Sequence, residues 1–70
     1  MRSELELRLE ERFSDRFRRI WVQRTNFNSV CITLFPLSIG GNYRIITAER
    51  LPNRVDYDLV CRLIEKNVYL

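Results

Sequence analysis

Apolar residues recur at three- and four-residue spacing from Leu5 to Ile20, and beyond that point they alternate or run together, so a helix gives way to strands. Leu5, Leu9, Phe13, Phe17 and Ile20 form one stripe of that first helix. Glu4, Arg8, Glu11, Arg12, Asp15, Arg18 and Arg19 cover the opposite face. Ser3 followed by Glu6 is a capping-box pattern that starts the helix, and the acids precede the arginines as the helix dipole favours. Glu4 with Arg8 and Asp15 with Arg19 are four apart, acid first, the order that supports a helix. Arg16 interrupts the stripe, falling between Leu5 and Leu9. Two readings apply: its stem packs while its head reaches solvent or pairs with Asp56 or Asp58, or it is held at a recess to grip a phosphate or carboxylate.

The stretch IWVQRT after Arg19 is rich in β-branched and aromatic residues and reads as a first strand, ending in a polar turn from Asn26 to Ser29. VCITLF, from Val30 to Phe35, is a continuous apolar run that suits a central strand, with Val30, Ile32 and Leu34 on one face and Cys31, Thr33 and Phe35 on the other. Pro36 ends its pairing. Gly40, Gly41 and Asn42 are expected to supply positive φ for the reversal, and YRIITAE, from Tyr43 to Glu49, returns as a third strand. Asn53, with Asp56 three residues on and Pro52 before it, is the expected cap of a second helix running to about Lys66. Asn67 can end it, leaving Val68, Tyr69 and Leu70 as an apolar tail. The fold class is α+β: residues 1–70 form a single small domain of helix, three-stranded antiparallel sheet and helix, with both helices on one sheet face.

That architecture leaves apolar surface without cover. In the second helix Val55, Leu59 and Leu63 make one stripe, and Val60, Ile64, Tyr57 and Cys61 widen the arc to about two-thirds of the circumference, more than the stripe of roughly 100° that a surface helix requires. A chain of 70 residues also buries a modest share of its surface, about 60%. A homodimer is therefore expected, with Tyr57, Val60, Cys61, Ile64 and Tyr69 at its interface.

Charge adds a second feature. Between Arg16 and Arg54 lie seven arginines, Arg16, Arg18, Arg19, Arg24, Arg44, Arg50 and Arg54, against one acid, Glu49, while the whole chain carries +3. Basic residues divide as eleven arginines to one lysine, and the planar guanidinium suits carboxylates, phosphates and aromatic faces. The segment fits a protein partner with an acidic surface. It also fits RNA or DNA, with Trp21, Phe27 or Tyr43 available to stack on bases. The order helix, three strands, helix is similar to that of double-stranded-RNA-binding domains, but the likeness is one of topology: those domains have a lysine-rich start to the second helix, where PNRVDYDL has one arginine and two aspartates. Acids in both helices flank the basic segment and would repel a long polyanion. Protein binding accordingly ranks first, as the work of a homodimeric adaptor, regulator or inhibitor of a larger protein, with nucleic-acid binding as the alternative.

Catalytic chemistry finds little support. The chain has no histidine, and its two cysteines, thirty residues apart in apolar segments, lack a neighbouring base or ligand. Asp56 and Asp58 are a carboxylate pair, but one reads as a cap and the other points elsewhere. SIGGN lacks the lysine and hydroxyl residue of a phosphate-binding loop. The expectation is a non-enzymatic protein without metal or cofactor, with Cys31 and Cys61 as free, buried thiols. The N-terminus alternates charges where a signal peptide would be apolar, and no run approaches the length of a membrane span, so a soluble, cytoplasmic location is expected.

Overall fold

The computed structural model describes residues 3–52 and 54–68. The elements follow in the order α1 (Glu4–Arg12), β1 (Phe17–Asn26), β2 (Ser29–Pro36), β3 (Arg44–Ala48) and α2 (Tyr57–Val68). The strands form one antiparallel sheet in the order β1-β2-β3, with β2 central as its apolar run predicts. Both helices contact this sheet, α1 along β1 and α2 against β3.

Ser3 caps α1 through the expected box: the Glu6 N–H donates to Ser3 Oγ at 3.2 Å, and Ser3 N–H donates to Glu6 Oε1 at 3.1 Å. The helix stops at Arg12, seven residues short of the sequence expectation. Ser14 and Asp15, which favour local backbone bonds over helix, sit in a turn closed by the N–H groups of Arg16 and Phe17 on the Phe13 carbonyl, both at 2.9 Å. Phe17 and Ile20 thus belong to a strand. They share a face at three-residue spacing because the register shifts between Phe17, opposite Pro36, and Arg19, opposite Phe35, leaving Arg18 as the extra residue of a bulge. Arg16 lies exposed in the turn instead of inside a helical stripe, and the pairing of Asp15 with Arg19 across a helical turn does not exist.

Asn53 lies outside the described residues. Asp56 is the residue that caps α2, accepting from the Leu59 N–H at 2.9 Å, while Arg54 and Val55 precede the helix in non-helical backbone. The link between β2 and β3 also departs from expectation, since none of Gly40, Gly41 and Asn42 adopts positive φ; among the described residues Arg50, past the end of β3, is the one that does, at φ 54. Gly41 is required for a different reason: a Cβ there would stand 2.9 Å from Pro36 Cγ. Its amide donates to the Ser38 carbonyl at 3.1 Å.

Leu9 of α1 and Phe13 at its C-terminal cap, Ile20 of β1, Val30, Ile32 and Leu34 of β2, Ile46 of β3, Val55, and Val60, Cys61 and Ile64 of α2 make the core. Each fully buried aliphatic side chain contributes about 1.5–3 kcal/mol. Val60, Cys61 and Ile64 are used inside the chain, with Ile64 fully buried, so the expectation that these three line a dimer interface is corrected. Tyr57 is half-buried beneath Arg8, whose guanidinium carbon lies 4.0 Å from the ring centroid, and Tyr69 is outside the described residues.

One arrangement fixes α1 against the sheet. β1 is an edge strand, and its outward N–H groups at Ile20 and Val22 donate to Glu10 Oε2 and Glu6 Oε2, each at 2.9 Å. The match is geometric. Four residues of helix advance about 6 Å and two residues of strand about 6.6 Å, so carboxylates at i and i+4 meet alternate amides of a neighbouring strand.

Candidate binding surface

With both helices on one side, the opposite face of the sheet carries no cover among the described residues. Strand alternation and register place Arg19, Trp21 and Gln23 of β1, Cys31, Thr33 and Phe35 of β2, and Ile45 and Thr47 of β3 on it. Tyr43, just before β3, joins them. Trp21 meets Phe35 edge-on, with centroids 4.7 Å apart and planes at 66°, and Phe35 lies 5.9 Å from Tyr43. The aromatics therefore cross the sheet as a row, one from each strand region. The bulge turns Arg18 back over this row, its guanidinium carbon 5.6 Å from the Phe35 centroid. Trp21 is 49% exposed, Ile45 53% and Tyr43 60%, a concentration of large apolar side chains that solvated sheet faces avoid. None of the described strand residues is an aspartate or glutamate; the carboxylates nearest this face are Glu6, at the β1 border, and Glu49, just past β3. A shallow hollow of about 380 Å³ opens beside Glu6, Arg19, Trp21, Gln23, Cys31 and Thr33, at the β1 border of the face.

The seven arginines of the basic segment do not form one surface. Arg18 and Arg19 border the open face. Arg16 and Arg44 line a cleft of about 580 Å³ with Asp15, Phe17, Leu34 and Val68, and Arg44 Nη1 donates to the Asn67 carbonyl at 3.0 Å, which satisfies the end of α2. Arg24 and Arg54 stand at the far end of the sheet beside Phe27, which is 79% exposed at the tip of the β1–β2 turn. Arg50 lies beyond β3. All seven are exposed. Trp21 and Tyr43 share the open face, whereas Phe27 is remote from it.

The thiols differ in setting. Burial pushes the Cys61 thiol above its ordinary value, which keeps it protonated and unreactive. Cys31 is half-buried on the open face, and both are free. Among the described residues no group of three or more His, Cys, Asp or Glu converges, and no helix is long and apolar enough to cross a membrane.

Phe35, Thr33 and Ile45 are members of this surface that charge and aromatic content alone do not single out; the two-sided apolar pattern of VCITLF is the signal that marks it. Comparison with family models, with curated proteins and with solved structures finds no match to this chain.

Proposed function

We propose that this chain is a non-enzymatic protein-binding module that docks a partner through the open face of its sheet. The observation that carries the reading is the row Trp21, Phe35 and Tyr43 with Ile45, 49% exposed or more at three of the four positions and lying on the face that neither helix covers. Trp, Tyr and Arg are the side chains that dominate protein interfaces, since they desolvate a large area with few rotamers to fix. Arg18 and Arg19 stand at the border with no acid in the strands beside them, so the complementary partner presents an apolar centre and carboxylates opposite those two arginines.

Nucleic-acid binding on the same face is the second reading, favoured by the acid-free aromatic row. Two features rank it lower. Phe35 already meets Trp21 at 4.7 Å between centroids and the Arg18 guanidinium at 5.6 Å, contacts with which a stacking base would have to compete. The remaining arginines, divided among three other locations, do not make a track for a phosphate backbone.

Capture from the native host, comparing wild type with the double variant Trp21→Ser/Tyr43→Ser, tests the proposal. The expected result is a protein partner whose affinity falls about thirty-fold or more in the variant, since an interface aromatic of this kind is worth about 2 kcal/mol or more. Titration of a fluorescent single-stranded RNA at two salt concentrations is the counter-test. A salt-sensitive complex tighter than about 10⁻⁷ M would reverse the ranking.

A further inference from the structure

Among the described residues nothing pairs with a second element of the sheet, its β3 edge. Ile20 and Val22 give their amides to Glu10 and Glu6, so the β1 groups that pair inward to β2 are those of Trp21 and its alternates. Alternation then assigns Val30, Ile32 and Leu34 of β2 to pairing with Ala48, Ile46 and Arg44 of β3. The N–H and C=O groups of Ile45 and Thr47 are left pointing away from the sheet. On the same side of the molecule lies the surplus arc of α2. Tyr57 and Glu65 face α1, through Arg8 over the Tyr57 ring and Arg12 to Glu65 at 2.8 Å, so the half-buried Leu59 and Leu63 fall on the opposite flank, above β3.

We propose that a second copy of this chain pairs with the β3 edge in antiparallel register, joining two three-stranded sheets into one of six strands and packing the Leu59–Leu63 flanks of the two α2 helices together above it. This goes beyond the open-face reading and uses a different surface. Symmetry selects the register. Centred on Ile46, the pairing sets Ile45 opposite Thr47 of the other copy, so the outward groups of both residues are satisfied on both sides of the two-fold, and the whole of Arg44–Ala48 is used. The same register brings Tyr43 opposite Glu49 of the other copy, a hydroxyl facing a carboxylate. A shift by two residues one way sets Ile45 against Glu49 and Arg44 against Arg50; the other way sets Thr47 and Ala48 against Tyr43 and Asn42, outside the strand, and so uses less of it.

Area points the same way. A compact monomer of 8.5 kDa exposes about 4,700 Å², and this chain exposes 5191 Å². A stable dimer needs about 800 Å² from each partner, more than a five-residue strand edge supplies, and the adjoining apolar flank of α2 extends the contact.

The test is the mass in solution by light scattering after size exclusion, at 10 and then 100 μM (about micromolar affinity being what such an interface supports), for wild type, Thr47→Pro and Trp21→Ser. Proline is tolerated where an edge N–H faces outward, so Thr47→Pro removes one bonding group from the contact without touching the pairing to β2. The expected result is a dimer for wild type and Trp21→Ser, and half that mass for Thr47→Pro with its far-ultraviolet circular dichroism unchanged. Wild type monomeric at the higher concentration overturns the proposal, as does a Thr47→Pro protein that stays dimeric. A dimer lost in Trp21→Ser and kept in Thr47→Pro moves the self-contact to the open face and overturns it as well. Should Thr47→Pro fail to fold, amide exchange of wild type decides: protection at Ile45 and Thr47 that falls on dilution supports edge pairing, and free exchange at both excludes it. Failure of the open-face reading shows separately, as partner capture that survives loss of Trp21 and Tyr43.

Discussion

The two edges of the sheet meet the same problem with opposite solutions. At β1 the outward amides of Ile20 and Val22 are taken by Glu10 and Glu6, and α1 lies alongside as a lid. At β3 no side-chain bond among those described reaches Ile45 or Thr47, and the strand is held by β2 and by α2 overhead. An uncovered edge is a template for another strand, which is why folded proteins cover, charge or shorten theirs. Here one edge is closed with two carboxylates, and the other is short and bears isoleucine and threonine. Under the proposed pairing the difference would make strand addition directional: a chain that added strands at both edges would form fibres, whereas one open edge per copy closes after two.

Opening the closed edge should give the largest effect. Glu6→Ala/Glu10→Ala removes two charge-assisted bonds to backbone amides, worth about 1.5–3 kcal/mol each in part-buried settings, so a total loss of about 3–6 kcal/mol is expected in urea unfolding. The same variant should scatter light above the dimer mass as concentration rises, because each copy now has two free edges; a variant equally stable and no larger than wild type would break the contrast. Asp56→Ala sharpens it as a control. Loss of the α2 cap should cost about 1 kcal/mol and leave the association state alone, since Asp56 touches neither edge. The smallest effect is expected from Arg50→Gly, just past the open edge. Relief of positive φ should raise stability by about 0.5–1 kcal/mol, read as a higher midpoint in the same denaturant series.

How much of this was legible in the residues depends on the range of the interaction. The Ser3–Glu6 box, the central strand and the element order follow from local pattern, and the structure contains them. The end of α1 was hidden by coincidence: a bulge at Arg18 turns the two-residue period of a strand into three, and Phe13, Phe17 and Ile20 then imitate a helical stripe. The start of α2 read as Asn53 because Pro52 precedes it and Asp56 completes a box; Asp56 is itself a competent cap and takes that role, with Arg54 and Val55 non-helical before it. Trp21 and Tyr43 stood out as aromatics among arginines, but their union with Phe35 needed the register. The arginines looked like one patch because they are near in sequence; the strands carry them to opposite ends of the sheet. Glu6 and Glu10 read as helix residues alone, since nothing local says that a strand amide waits at the matching rise.

The two oxygens of Glu6 serve different structures. Oε1 accepts from the Ser3 amide in the first turn of the helix, and Oε2 accepts from Val22 in the strand. Helix nucleation and strand docking therefore share one group, so the first turn cannot fray without releasing the strand amide. In the language of cooperative opening units, α1 and the middle of β1 form a single foldon, and the exchange rate at Val22 is a clock for the unwinding of a helix to which it does not belong.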